Sequence, residues 1–570
     1  MDFFDYAWAT SFQITKKKHE DVKVLVRNDM DFPILGKDSV GYVICVPEPR
    51  RVRNGLVSFE GLTLNASSEF HRRVLWQLFR ASVFHLSLHI ATSGYEDYVE
   101  WARNKDPNLA LYVANILEDA VVAAHVKTEW TPLIPDMALA NTISYLRLKP
   151  AQVIFDDPLR IMAAILSYYT IGKSKGDLAR QTQKDANDIV SYLRSIEDLT
   201  SRQLADAQSH QRPFQNKEKL EIADAIYSKL HKYGKPPLTV TLPYTESYGG
   251  NSVYRKNITG REKEFNDTLE MAFTKLGSNE FIDENCEREA AQAFSAWEAK
   301  LAHQQKILDG YRGLLAGTRF STAEFPREDY TEYLRSKQLL SGPIRRVLEK
   351  LRLLKNITGE DFRQESGLVD LQEAIQIIAS KSQRTDIFVR EEYQTREEAW
   401  AIVIDASHSL DFFLGEIRGI ALCLAETAKN LILNRAAWGV FAFNDQFYII
   451  KDFSENYSTH VRARIGGLKQ KGLTYLPDGL KVAKNAMQPR IEQAKIIVAV
   501  SDFFPSGDLA IENELIQDLK QMERSGMGLI GVGVKSRAVK NYFRCNCVVE
   551  TPYDLMKSFT KAFLEYSATI

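Results

Sequence analysis

Four short apolar runs constrain the fold of this chain more than any other feature: Trp400–Ile404, Trp438–Phe443, Ile496–Val500 and Leu529–Val534. Each is rich in β-branched or aromatic residues and is apolar at consecutive positions. A strand of that kind must be covered on both faces, which is the condition of a parallel sheet between helices. Helical segments separate the runs, among them Leu414–Leu433, which is apolar nearly all round. The predicted fold of residues 391–570 is therefore α/β, doubly wound and Rossmann-like, with ligands expected at the carboxyl ends of the strands. Thr551, Pro552 and Asp554 predict the start of a final helix as cap, first-position proline and first-turn acid. Its apolar face runs through Leu555, Phe559, Phe563 and Tyr566.

Upstream the patterning changes. Residues 1 to about 65 mix short β-like runs (Val22–Val26, Tyr42–Val46, Leu56–Phe59) with turn residues. From about 68 to 233 the spacing is helical: Trp76, Phe79, Val83, Leu86 and Ile90 share one face, as do Leu109, Tyr112, Val113, Ile116 and Leu117. Gly234-Lys235-Pro236-Pro237 and the polar stretch to Gly249-Gly250 break the pattern. A long amphipathic helix is predicted from about Asn285 to Leu315, with a stripe of Phe294, Trp297, Leu301, Leu308, Tyr311 and Leu315. Such a stripe packs in a hairpin or bundle, or serves as a partner-binding coiled coil. Further helices are expected over 328–357 and 368–380. The predicted organisation is a mainly helical N-terminal domain (1–235) with short β segments at its start, a helical middle region (236–390), and the α/β domain (391–570).

The chemistry-bearing residues follow the predicted strands. Asp405, Ser407 and Ser409 sit at alternating positions just past the first strand. Thr474 lies in the loop Gly472-Leu473-Thr474-Tyr475, and Asp502 follows the run ending at Val500. Asp and Ser after a strand are common as helix caps, but all five positions together make an oxygen-only set suited to a hard cation, Mg2+ or Mn2+. Hydroxyl ligands are neutral, so the ion keeps residual positive charge for an incoming carboxylate. No histidine, cysteine or lysine stands at a motif position to act as nucleophile or base, so the site predicts binding without catalysis. His408 occupies a variable position facing solvent or the next helix.

This D-x-S-x-S…T…D pattern resembles the metal-ion-dependent adhesion site of von Willebrand factor A domains. The wider pattern resembles the group of such proteins that partner MoxR-type AAA+ ATPases, including NorD and CbbO. The matching segments are Gly367-Leu368-Val369-Asp370-Leu371, Phe388-Val389-Arg390, Arg396-Glu397-Glu398-Ala399-Trp400, Val461-Arg462-Ala463-Arg464-Ile465 and Asn115-Ile116-Leu117-Glu118-Asp119-Ala120. The resemblance implies a non-enzymatic adaptor. A hexameric ATPase would supply the work, and the metal site would engage the motor or a client offering an Asp or Glu, for remodelling or for cofactor insertion. The chain shows no ATP site of its own: in the fragment Gly172-Lys173-Ser174, Ser167 stands where the first glycine of a phosphate loop belongs.

His85 and His89 form a second constellation, four residues apart on a predicted helix, with Glu118-Asp119 on another helical segment; Glu118 is the expected third ligand. The set resembles a degenerate zincin in which Leu86 replaces the glutamate base. Two histidines packed in a helical core, a non-catalytic Zn2+ site and a metal-dependent hydrolase are the three alternatives. The 73 basic and 74 acidic residues balance, which argues against nucleic acid as a partner. The N-terminal residues lack the basic and apolar regions of a signal peptide, and no apolar run approaches the ~20 residues that span a bilayer. Cys45, Cys286 and Cys423 are isolated, as expected in a reducing compartment, and Cys545-Asn546-Cys547 is read as a strand near the last helix. A cytoplasmic protein without membrane insertion is expected.

Overall fold

The computed structural model describes the chain apart from residues 1, 93–94, 207–215, 247–252, 256–257, 259–261, 278–283, 356–358, 365–367, 381–383, 393–396, 506–508 and 568–570. Gly249, Gly250, Gly367 and Arg396 therefore lie outside the described residues. The chain divides into two compact units, Met1–Ala302 and His303–Ile570. This boundary falls inside the long helix Glu284–Leu314 and not near 235 or 390. The division follows the side chains. Tyr244, Phe273, Phe294 and Trp297 are buried in a core built on residues 3–146, whereas Ile307, Tyr311, Tyr333, Val347 and Leu351 belong to the core of the α/β unit. The helix stripe thus serves two cores, and neither a hairpin nor a coiled coil is needed to account for it.

In the first unit, helix Phe3–Thr15 is capped by Asp2, whose carboxylate accepts from Asp5 N at 2.9 Å. Two three-stranded sheets follow, one of them pairing Val22–Arg27 with Tyr42–Pro47 in parallel. Helices Glu69–Thr92, Pro107–Thr128, Ile134–Arg147 and Asp157–Thr170 come next. Asp106 caps the second of these through Leu109 N, with Pro107 at the position where a missing N–H costs nothing. Pro107–Thr128 is also long and apolar enough to cross a membrane by length and composition, which corrects the expectation that no such run exists. Here Tyr112, Val113, Ile116 and Leu117 are buried in the unit's core, so packing accounts for its apolarity.

The second unit is built on a seven-stranded sheet. Its order is Cys545–Val549, Met527–Val534, Ala494–Ser501, Glu398–Asp405, Trp438–Phe443, Phe447–Lys451, Ala323–Glu324. The four predicted strands are present and mutually parallel, and their residues are almost all buried. Phe447–Lys451 was not foreseen. It runs antiparallel to Trp438–Phe443 across a short turn and closes that side of the sheet together with Ala323–Glu324. Helices Leu476–Met487 and Leu509–Arg524 pack together against the central strands. Leu414–Leu431, Leu555–Ser567 and Ser341–Lys355 form a second packed group. The mainly helical N-terminal region and the Rossmann-like domain thus stand as expected.

Three local expectations are corrected. Residues 236–390 are not purely helical: Gly359–Gln364, Leu368–Val369 and Phe388–Glu392 make a small antiparallel sheet, and the helix expected over 368–380 begins at Leu371. The helix expected over 328–357 is two, Tyr330–Leu339 and Ser341–Lys355. The last helix starts at Leu555, because Thr551 N and Oγ1 bond to the Asp554 carboxylate at 2.9 and 3.0 Å and close a turn ahead of it.

Candidate functional site

The chain leaves strand Glu398–Asp405 to build Trp438–Phe443 on one side, then returns to add Ala494–Ser501 on the other. Loops after the two central strands therefore diverge and leave a crevice between the carboxyl ends, the place where such sheets bind ligands. Asp405 closes one strand, and Asp502 follows the last residue of its neighbour. Both are buried, as are Ser407 and Thr474, while Ser409 and His408 are exposed.

Backbone contacts fix the loops. Ser407 N donates to Asp405 Oδ1 at 2.9 Å, and the Ser407 and Ser409 hydroxyls lie 3.0 Å apart. The threonine loop docks on this turn: His408 N donates to Gly472 O at 3.1 Å, and Lys471 N donates to Ala406 O at 2.9 Å. Gly472 has φ of +69°, and a side chain there would meet the Asp445 carboxylate. Asp502 Oδ1 accepts from Phe504 N at 3.1 Å. The structure thus brings Asp405, Ser407 and Ser409 into one hydrogen-bonded turn, seats the threonine loop on it, and places Asp502 beside it.

One further residue belongs to this arrangement. Ser501 is fully buried and donates its hydroxyl to Asp405 Oδ2 at 2.5 Å while accepting from Phe503 N at 3.0 Å. Its only sequence signal is a hydroxyl ending the apolar run before Asp502. The two Asp405 oxygens thus face different partners, Ser407 and Ser501. Burial, with the Asp502 charge adding to it, pushes the Asp405 carboxyl up to about 7. The donor set fits a hard divalent ion: neighbouring ligands of an octahedral Mg2+ at ~2.1 Å stand about 3.0 Å apart, which is the spacing of the two serine hydroxyls. Three large apolar side chains carried by these three loop segments face solvent: Phe412 at 94% exposure, Leu473 at 51% and Phe504 at 63%.

The histidine pair lies in the first unit, on helix Glu69–Thr92, with both rings buried. Its expected third ligand is corrected. Glu118 turns away to form a buried ion pair with Lys219. The next residue, Asp119, faces the histidines instead, because neighbouring helix positions point about 100° apart. Its Oδ1 lies 3.1 Å from His85 Nε2 and 3.2 Å from His89 Nε2. Glu246, far along the chain, brings Oε2 to 3.5 Å from His89 Nε2. Burial pushes the Glu246 carboxyl up, whereas the two imidazoles beside Asp119 hold its carboxyl low against the cost of its burial.

Residues 400–504 match the family described as the von Willebrand factor type A domain. The chain therefore carries such a domain within its second unit, on the strands and loops that form the crevice. No curated protein matches the chain.

Proposed function

We propose that this chain is a non-enzymatic adaptor that grips a partner through a metal ion. In this reading Asp405, Ser407, Ser409, Thr474 and Asp502 hold Mg2+ or Mn2+, and the ion's remaining position takes an Asp or Glu from another protein. The observation that carries it is the rim of the crevice. Phe412, Leu473 and Phe504 come from the same three loops that supply the oxygens, and each presents apolar surface to solvent. Large exposed apolar groups mark contact surfaces, and packed against a partner they would keep water from a central ion pair as the contacts surrounding a hot spot do. A small-molecule enzyme would have little use for them.

The partner proposed is a hexameric MoxR-type AAA+ ATPase or its client, on the resemblance of the flanking segments. Some of those segments have structural work of their own. Arg464 is buried and ion-paired to Glu455 at 3.0 Å, and the Arg462 guanidinium lies 5.0 Å from the Tyr457 ring centre. The test is capture of a purified MoxR-type ATPase, with ATP, on the immobilised full chain. Binding should need Mg2+ and vanish in Asp405→Ala and in Phe412→Asp, with folding retained. Binding that survives chelator and both substitutions overturns the proposal.

A further inference from the structure

The first unit contains four convergent ligand atoms that the adhesion site does not use. His85 Nε2, His89 Nε2, one oxygen of Asp119 and one of Glu246 all lie within 4.8 Å of one another. The two Nε2 atoms are 2.8 Å apart. With Asp119 Oδ1 they form a triangle of edges 2.8, 3.1 and 3.2 Å, and Glu246 approaches His89 from outside it at 3.5 Å. Hydrogen bonds alone serve this triangle poorly. Each Nε2 carries at most one proton, which can lie along only one edge, and among the described residues Asp119 Oδ1 finds no hydrogen bond of acceptable geometry. Among the described residues both Glu246 oxygens are likewise without a hydrogen bond, on a residue only 1% exposed. A buried carboxyl group left in that condition is costly whether neutral or ionised.

One cation at the centre would take one ligand atom from each of the four residues. A zinc-sized ion with ligands at 2.0–2.1 Å sets them about 3.3 Å apart in a tetrahedron, or about 3.0 Å in an octahedron; the triangle edges together with the Glu246 separation of 3.5 Å bracket both values. Imidazole nitrogen selects a first-row transition ion over Mg2+. One of the ligands, His89, also has an outer contact. The Tyr95 hydroxyl lies 3.4 Å from His89 Nδ1 and 3.4 Å from Asn115 Oδ1, an outer contact of the kind that orients a ligating ring.

We propose that His85, His89, Asp119 and Glu246 bind one first-row divalent metal ion in the helical unit. His85 and Asp119 also line a cavity of about 290 Å³, whose wall includes Asn141, Tyr169 and Arg194. That side gives the ion a route in. Leu86, between the histidines, is fully buried and supplies no general base, so the site is assigned metal binding without a reaction. It is independent of the A-domain crevice and of the function proposed for it.

The test uses the full chain, stripped with chelating resin and reconstituted separately with Zn2+, Mn2+ and Co2+. Metal content is measured, and the Co2+ form is read by visible absorption. In the Asp405→Ala background, which silences the adhesion site, the chain should take up about one tightly held ion, with Co2+ bands of a nitrogen- and oxygen-ligated centre; wild type holds that ion beside any at the adhesion site, so the further variants are read in the same background. Glu246→Gln and His89→Gln should weaken binding more than about 100-fold, beyond what loss of an outer-shell contact brings. Should His89→Gln fail to fold, the nearly isosteric Glu246→Gln decides. Less than a tenth of an ion per chain with all three metals overturns the proposal, as does full occupancy in a folded Glu246→Gln protein.

Discussion

Asp405→Asn should move stability in opposite directions depending on whether metal is present. In wild type without metal, the Asp405 carboxyl is buried and pushed up to about 7 from an ordinary value of 3.8. Between those pH values the unfolded chain has released its proton and the folded one has not. The unfolded state therefore binds fewer protons, and stability falls as pH rises from 4 to 7. At 1.36 kcal/mol per unit the full cost above pH 7 is at most about 4 kcal/mol. Asparagine has no charge to desolvate. Its oxygen still accepts from Ser407 N, and its amide can donate to the Ser501 hydroxyl, so about 1 kcal/mol of hydrogen bonding is at stake. In chelator at pH 8, the substitution should stabilise the second unit by about 2–3 kcal/mol, or about 5–10 °C in Tm for a unit of this size. With Mg2+ at a hundred times its Kd, wild type should gain about 2.7 kcal/mol and the variant nothing. Differential scanning fluorimetry with Mg2+ and with chelator, at pH 5 and pH 8, reads all four corners. A variant that melts below wild type in chelator, or that still rises with Mg2+, refutes the reasoning.

Two other outcomes follow from the same unit. Lys451 is fully buried, with Nζ donating to Trp438 O at 2.7 Å and Arg435 O at 3.0 Å, and burial takes its pKa down to about 7 from 10.5. The folded state then holds fewer protons than the unfolded one between those values, so this group makes stability rise with pH. Lys451→Met should remove up to about 1.4 kcal/mol per pH unit of that slope between pH 7.5 and 9; denaturant titrations with parallel wild-type and variant profiles would contradict this. Gly472→Ala forces a side chain into the left-handed region, at about 1–2 kcal/mol, and displaces the Asp445 carboxylate. It should weaken Mg2+ binding measured by calorimetry as well as lower stability, because Gly472 O is the acceptor that seats the threonine loop on the Asp405 turn.

Legibility in the sequence depends on whether a signal is local. Buried parallel strands announce themselves as short, continuous apolar runs, so the α/β unit and the loop positions of Asp405, Thr474 and Asp502 can be read from residue order alone. Strand Phe447–Lys451 escapes that reading because it ends in Lys451, whose charge suggests surface although carbonyls enclose it. Ser501 escapes it because its role is a single bond to a residue ninety-six positions away. In the helical unit, the i, i+4 spacing of His85 and His89 is legible, since both sit on one helix. The choice between Glu118 and Asp119 is not. It turns on which of two adjacent helix positions faces the histidines, and only the fold shows that Glu118 meets Lys219 instead. Glu246 carries no local mark at all. It follows the break after Gly234, where polar residues read as linker, and only the packing of Tyr244 into the first core brings it to the histidines. A metal site assembled from one helix pair is half visible in sequence. Tertiary packing contributes the other half, and here it changes the predicted ligand set from two histidines and Glu118 to two histidines and two other carboxylates.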